Sequence, residues 1–131
     1  MKLTLKEVKD YFKREYNWTD SISIGKIDNN QEKAICFYNS RRESAYDPFV
    51  NGKNGKSTYI KSITILLRYT KNQDSAEREI QSIYEFFEER TFFIDNKKVF
   101  VIMVTDEPIN LGTDDNNVYE YSLEIDLYVE R

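Results

Sequence analysis

The segment 119–130 alternates strictly between two kinds of residue. One set is apolar or aromatic: Tyr119, Tyr121, Leu123, Ile125, Leu127 and Val129. The other is mostly acidic or polar: Glu120, Ser122, Glu124, Asp126, Tyr128 and Glu130. Successive side chains of a β-strand point to opposite faces of the sheet, so this pattern has the period of a strand. It predicts a strand with one face on a hydrophobic core and a second, acidic face turned away from it.

Two other segments have the periodicity of amphipathic helices. Thr4 followed by Glu7 predicts a capping box at the start of the first helix, which is expected to end near Asn17. Asp74 with Glu77 predicts the start of a second helix. Its apolar stripe is Ala76, Ile80, Ile83, Tyr84 and Phe87, and it extends to about Arg90. Its exposed side is expected to be a solvated face rather than a metal site, with Glu79, Glu85, Glu88 and Glu89.

The remaining apolar segments predict further strands. Residues 21–39 are expected to form a hairpin about a turn at 28–30, and residues 92–104 a second hairpin about 95–97. Residues 58–70 are partly apolar on both faces, which is typical of a central strand. The order of elements predicts an α+β fold, in which a mostly antiparallel sheet is packed by two amphipathic helices.

The chain length predicts one domain. A chain of 131 residues has the size of a single hydrophobic core, and no repeat or low-complexity segment divides it. We therefore expect one domain over 1–131, with a long loop at about 40–57. Long loops in compact domains are usually functional or mobile, so this loop is a candidate partner surface.

Composition excludes most catalytic chemistry. The chain has no histidine and one cysteine, Cys36, so it lacks the usual general base, the commonest metal ligand and any cysteine-histidine pair. Cys36 is expected to be a small buried residue of a strand, as in proteins of a reducing cytoplasm. No apolar run approaches the roughly 20 residues of a membrane span, and no secretory signal is visible. We expect no catalytic residue, no cofactor, no bound metal and no membrane contact.

Two loop motifs resemble ligand sites only in part. The segment 52–57, GKNGKS, resembles the end of a phosphate-binding loop, but Val50 stands where the first glycine is required and a strand follows instead of a helix. Residues 114–117, DDNN, carry oxygen ligands of the kind that calcium prefers. They lack the glycine and the final glutamate of a calcium-binding loop, so a turn explains them better.

Charge is distributed unevenly along the chain. The formal net charge is −4, yet residues 1–66 hold 12 basic and 8 acidic side chains, and residues 67–131 hold 7 and 15. The long loop carries the cations Arg41, Arg42, Lys53 and Lys56. The acidic strand face carries Glu120, Glu124, Asp126 and Glu130. A solvated sheet face is one interpretation of these acids, and a subunit interface or the charged wall of a channel that repels DNA phosphates is the other. We interpret the four loop cations and Glu120, Glu124 and Asp126 as subunit or partner contacts.

Three segments together resemble a known group of proteins. The first is IGKID at 24–28 followed by CFYNSRR at 36–42, and the second is ITILLRYTKNQDSAEREIQSIYEFF at 63–87. The third is 107–131, in which Glu107-Pro108, Gly112, Asp114, the triplet YEY at 119–121 and YVER at 128–131 stand out. The pattern resembles the minor capsid proteins of tailed bacteriophages, a group similar to the tail terminator (tail completion) proteins of phages and prophages of Gram-positive bacteria.

The resemblance implies a structural protein rather than an enzyme, and it brings no catalytic residue. It implies an α/β sandwich whose copies close into a ring, commonly a hexamer, in the head-tail neck of the virion. Such a ring caps the tail-tube protein, stops its polymerisation and docks onto the head-tail connector. DNA passes through the lumen without specific binding. Assembly is expected in the cytoplasm of the bacterial host.

Three alternatives remain at this stage. The first is a head-completion or stopper protein of the same neck, which differs in its partner. The second is a small-molecule or nucleotide-binding module that uses the glycine-lysine loop with Lys56. The third is an enzyme that uses Glu124 and Asp126 as an acid-base pair.

Overall fold

The computed structural model describes residues 2–40 and 58–130. Within these ranges the chain forms helices α1 (Leu5–Phe12) and α2 (Gln73–Phe87) and strands in a single sheet. The strands are β1 (Ser21–Ile24), β2 (Lys33–Asn39), β3 (Thr58–Tyr69), β4 (Thr91–Ile94), β5 (Lys97–Met103), β6 (Ile109–Thr113) and β7 (Tyr119–Glu130). The architecture is therefore α+β, as the sequence predicts.

Helix α1 begins as its capping box predicts. The Thr4 side chain accepts a hydrogen bond from the Glu7 main-chain N–H, and the Glu7 carboxylate accepts one from the Thr4 N–H at 3.0 Å. Main-chain donors that the first turn leaves unpaired are satisfied in this way. A π-helical turn, Lys13–Asn17, continues α1 until Asn17 adopts a left-handed conformation with φ of 66°. The predicted end near Asn17 is confirmed.

Trp18 connects this helical segment to the sheet. Its ring lies 6.2 Å from both Phe12 and Tyr69, measured between centroids, and only 5% of the residue is exposed. Its indole N–H donates to the main-chain carbonyl of Ser21 at 3.0 Å. The same side chain thus packs against α1 and holds the start of β1.

Helix α2 has the predicted apolar stripe but different ends. All five stripe residues are buried. The N-cap is Asn72 rather than Asp74: Asn72 is extended, and its side chain accepts a hydrogen bond from Ser75 N–H at 3.0 Å. Asp74 instead lies in the first turn and pairs with Arg78 at 2.7 Å. The helix ends at Phe87, before Arg90, because Glu88 leaves the helical conformation and Glu89 has φ of 54°.

The sheet has the order β1-β2-β3-β7-β5-β4, with β6 also pairing with β7. Strands β1 and β2 are parallel, so the predicted hairpin over 21–39 is wrong and the sheet is mixed rather than mostly antiparallel. Gly25, with φ of 77°, begins the return of the chain, and residues 25–32 lead back to the start of β2. Alternation places a residue on a face but carries no strand direction, which is why the sequence pattern missed this.

Strands β5 and β6 lie one after the other along the same side of β7. The hairpin β4–β5 is confirmed, with a turn at Asp95 and Asn96, both at positive φ. Strand β5 pairs with the second half of β7 and β6 with the first half. The Val104 N–H donates to the Glu124 carbonyl at 3.0 Å, which continues the pairing beyond β5. The last strand, β7, is thus a central strand with neighbours along both sides.

The hydrophobic core lies between the two helices and one face of the sheet. Phe12 of α1 and Phe87 of α2 stack at 5.6 Å between centroids, and Tyr11 stacks on Phe92 at 3.9 Å. The strands contribute residues at alternate positions: Ile35, Phe37, Ile63, Ile65, Leu67, Val99, Val101, Leu123, Ile125, Leu127 and Val129. Each large side chain buried here stabilises the fold by about 1.5–3 kcal/mol. The sandwich that the resemblance implies stays a prediction.

Candidate functional site on the outer face of the sheet

The face of the sheet opposite the helices, here called the outer face, carries the predicted acids. Glu120, Glu124 and Asp126 alternate with core residues of β7 and are half-buried, and Glu130 is exposed at the strand end. Because β3 lies beside β7, each acid has a register partner: Arg68 for Glu120, Thr64 for Glu124 and Ser62 for Asp126. The structure brings the three acids onto one surface. Their role as contacts stays a prediction.

Hydroxyl groups hold two of these carboxylates in place. The Ser62 hydroxyl donates to Asp126 Oδ1 at 2.7 Å, and the Thr64 hydroxyl donates to a Glu124 carboxylate oxygen at 2.8 Å. Ser40, just after β2, donates to the same Glu124 carboxylate at 3.3 Å. Hydrogen bonds to ionised carboxylates are stronger than neutral ones and fix side-chain orientation. The acidic row is therefore a positioned surface, unlike the exposed Glu77 and Glu85 of α2.

Arg68 is the most buried charged residue in the described part of the chain. Only 3% of it is exposed, and its guanidinium forms an ion pair with Asp114. Its Nε also donates to the carbonyl of Gln31 at 2.9 Å, and Nη2 donates to that of Asn29 at 3.3 Å. A buried charge is costly unless it is paired and hydrogen-bonded. Arg68 thus connects β3 both to the β1–β2 connection and to the loop before β7.

Asp114 explains the acidic loop at 114–117. Its Oδ1 accepts hydrogen bonds from the main-chain N–H groups of Asn116, at 2.8 Å, and Val118, at 3.0 Å. Asn117 has φ of 64°, a conformation that asparagine tolerates well. The turn interpretation of this loop is confirmed, with the ion pair to Arg68 added. Arg68 follows the apolar pair Leu66 and Leu67 near the end of β3, and a charge at such a position was the one signal in the sequence for a buried acidic partner.

Tyr38 lies on the outer face of β2, opposite Thr64 in the register. Burial, followed by the neighbouring Cys36 and the charge of Glu120, raises the pKa of the Tyr38 phenol to about 12. Cys36 itself is fully buried in the middle of β2, where the sequence places it. The Tyr38 phenol on the outer face of β2 is thus partly shielded from water, and its charged form is disfavoured there.

A column of exposed apolar side chains lies beside the acidic row. Phe100, Ile102 and Val104 follow one another at alternate positions along and just beyond β5, with 40%, 42% and 42% of each residue exposed. Ile102 is the register partner of Asp126, and Ile109 on β6 that of Ser122. On β4, Phe93 is 63% exposed. Contiguous exposed apolar surface next to placed polar groups is typical of a protein contact. The sequence analysis missed this column because it read β5 only as a hairpin strand.

Several predicted residues fall elsewhere. Arg41, Arg42, Lys53 and Lys56 lie outside the described residues, as does the glycine-lysine loop. On α2, Glu79 is half-buried and its carboxylate accepts a hydrogen bond from the Tyr16 hydroxyl at 2.6 Å, so it does not belong to the solvated side. Over residues 2–40 and 58–130, no group of three Cys, Asp or Glu side chains is arranged to hold a metal ion. Neither described helix is long and apolar enough to cross a membrane.

Sequence comparison gives one family. The family model described as bacteriophage tail terminator protein matches residues 13–131, nearly the whole chain. Curated proteins give no match. The matched range includes every strand of the sheet, α2 and the outer face.

Proposed function

Because the chain belongs to the family of bacteriophage tail terminator proteins, we propose that it is a structural protein of the head-tail neck whose copies form a ring that caps the tail tube. The family is structural rather than catalytic, and its members are virion components. The match over 13–131 is the observation that carries this proposal. A closed ring, with a hexamer as the expected form, also docks onto the head-tail connector.

The outer face is the part of the chain best suited to contact another protein of the neck. It combines exposed apolar side chains with carboxylates that hydroxyls already orient, so a partner does not have to order them. Ile102 and Asp126 are register partners, which places the two kinds of contact side by side. Glu120, Glu124 and Asp126 are thus proposed partner contacts, with tail-tube protein as the first partner and connector as the second.

The negative charge suits a lumen through which DNA passes. The net charge is −4, and DNA phosphates bind proteins mainly through clustered lysine and arginine. An acidic wall raises the energy of phosphate groups near it, so DNA is not retained. Assembly takes place in the cytoplasm of the bacterial host, before the virion is released.

The test is co-expression with the tail-tube protein of the same phage or prophage, followed by light scattering and negative-stain imaging. Tubes of limited length with this protein at one end are expected. Tubes that grow unchecked and carry no bound copy contradict the proposal. Co-purification with portal or adaptor protein instead of tube protein indicates a head-completion or stopper role.

A matched pair of variants locates the contact. Ile102→Asp places a charge in the exposed apolar column and is expected to reduce tube binding at least tenfold. Gln81→Asp adds the same charge on the exposed side of α2 and is expected to leave binding within twofold. Equal loss in both variants, or in neither, contradicts the assignment of the outer face.

A further inference from the structure

Apart from β6, which pairs only with β7, the described part of the sheet has two edge strands, and they resemble each other. Strand β1 is at one end of the sheet and β4 at the other, and each has 4 residues. Their sequences, SISI and TFFI, contain no charge and no proline. Edge strands that avoid pairing usually carry lysine, proline or a bulge. Apart from their shortness, neither edge has such protection, and Ile24 and Phe93 are 42% and 63% exposed.

The main-chain groups that face outward can be assigned from the ladders. Gly25 N–H donates to the Phe37 carbonyl, so the main-chain N–H and C=O groups of residues 23 and 25 point toward β2. The main-chain groups of Ile22 and Ile24 therefore point away from β2, toward the open edge. Val101 N–H donates to the Arg90 carbonyl, so Thr91 and Phe93 face outward on β4. Among the described residues, these outward main-chain groups have no hydrogen-bond partner.

The two edge strands point in the same direction. Strand β1 is parallel to β2, and each of the four further steps to β3, β7, β5 and β4 is antiparallel, so β4 has the direction of β1. A second copy added head to tail, with its helices on the same side, therefore places its β1 parallel to the first copy's β4. Such a contact uses different surfaces on the two copies and repeats from copy to copy, as a ring requires.

One register of this parallel pairing matches side chains of the same kind on the helix side of the sheet. It places Ile22 beside Phe92 and Ile24 beside Ile94, all on the helix side, and Ser23 beside Phe93 on the outer face. Ile22 N–H then faces the Thr91 carbonyl, Phe93 N–H the Ile22 carbonyl, and Ile24 N–H the Phe93 carbonyl.

Charges at the strand ends also match in this register. Asp20, before β1, comes beside Arg90, before β4, and Lys26 comes beside the Asp95–Asn96 turn. Antiparallel pairing would instead bring Asp20 to Asp95, and like charges facing each other are destabilising. Asp20, Lys26 and Asp95 are all exposed.

We propose that copies of this chain associate by parallel pairing of β4 of one copy with β1 of the next, which extends the sheet from subunit to subunit. This deepens the proposed function, since it names the surface through which the ring forms. Pairing of such short strands supplies few hydrogen bonds, each worth about 1 kcal/mol net. Isolated copies therefore associate weakly until ring closure or the tail tube holds them together.

Covalent capture tests the proposal. The full chain with Ser23→Cys and Phe93→Cys places two thiols opposite each other across the contact, within the about 4.4–6.8 Å Cα separation of a disulfide. Mild oxidation is expected to give a ladder of linked copies on a non-reducing gel. The matched control is Ser23→Cys with Lys98→Cys: Lys98 is exposed beside Phe93 on β5, one strand further from the contact. At least tenfold less ladder is expected from it.

The other outcomes overturn the proposal. A double variant with no ladder, or with no more than the Lys98 control, shows that the edges do not meet. Efficient dimers from Phe93→Cys alone show a two-fold contact between β4 strands instead. Capping of tubes by the unmodified chain is read separately, so a failed interface and a failed neck function give different results.

A complementation experiment does not depend on introduced thiols. Phe93→Pro and Ile24→Pro each remove one outward N–H, from β4 and from β1 respectively, at positions where an edge strand tolerates proline. At a protein concentration at which the unmodified chain self-associates, each variant alone is expected to lose self-association, and the 1:1 mixture is expected to stop at a dimer through the remaining intact edges. Circular dichroism and melting temperature confirm folding. Association of either folded variant as strong as that of the unmodified chain contradicts the proposal.

Discussion

The two faces of β7 come from one alternating sequence, yet they differ in how far the rest of the chain covers them. On the helix side, Leu123, Ile125 and Leu127 are fully buried within the domain. On the outer face, Glu124 and Asp126 are half-buried and bonded to hydroxyls, with exposed Ile102 beside them. The first face packs entirely within the chain and contributes mainly to stability. The second retains exposed surface, which the proposed partner contacts use.

Replacing a phenylalanine by alanine is expected to give the largest difference in unfolding free energy between the two faces of the sheet. Phe87→Ala removes a fully buried ring that stacks on Phe12, and it is expected to lower the free energy of unfolding by about 3–5 kcal/mol. The same change at exposed Phe93 is expected to alter it by less than about 0.5 kcal/mol. Urea unfolding followed by circular dichroism measures both. Similar losses at the two positions would show that Phe93 also belongs to the folded core.

An intermediate loss of unfolding free energy is expected at Arg68, the buried charged residue of the outer face. Arg68→Met leaves Asp114 without its cation, and a loss of about 1–3 kcal/mol is expected because Asp114 keeps some contact with water. A double-mutant cycle with Asp114→Asn measures the coupling, which is expected to exceed about 0.5 kcal/mol. Additive losses would mean that Arg68 acts through the carbonyls of Gln31 and Asn29 alone.

A smaller effect is expected for the hydroxyls that hold the acidic row. Thr64→Val keeps the shape of the side chain and removes the donor to Glu124, at a cost of about 1 kcal/mol in unfolding free energy. Thr113→Val, at an exposed position of β6, is the matched control and is expected to have little effect. If the two variants unfold at the same urea concentration, the hydroxyl contributes nothing to stability.

The last effect appears only at high pH and is absent under neutral conditions. The pKa of Tyr38 is raised from 10.0 to about 12 by burial, so the folded state favours the neutral phenol. Its contribution to stability is full below pH 10 and is lost as the pH rises toward about 12. Stability of the unmodified chain relative to Tyr38→Phe is therefore expected to fall between pH 10 and 12, as measured by urea unfolding. A constant difference over that interval would contradict the burial of the phenol.

The sequence predicted correctly those features that depend on residues close together in the chain. The capping box at Thr4, the stripe of α2 and the alternation of β7 each depend on residues a few positions apart, and all three are confirmed. The parallel direction of β1 was missed, because the serines and isoleucines of that strand alternate in the same way in either direction. The ion pair of Arg68 with Asp114 joins residues that are distant in sequence, and only the register of β3 and β7 brings them together.

The candidate site was predicted in part for the same reason. Alternation placed Glu120, Glu124 and Asp126 on one face, since it depends on β7 alone. The apolar column depends on how β5, β6 and β7 lie side by side, which no single segment encodes. The loop cations Arg41, Arg42, Lys53 and Lys56 lie outside the described residues, so their part in a contact stays a prediction.

The position of Trp18 gives the protein an internal optical probe. It is the one tryptophan of the chain, and its buried indole is bonded to the carbonyl of Ser21 at the start of β1. Fluorescence excited at the red edge of the aromatic absorption band, where tyrosine absorbs little, therefore comes from one place, the junction of α1 with an edge of the sheet. Exposure of this indole to water shifts its emission to the red, so fraying of that edge is observable without any label, even while the rest of the domain stays folded.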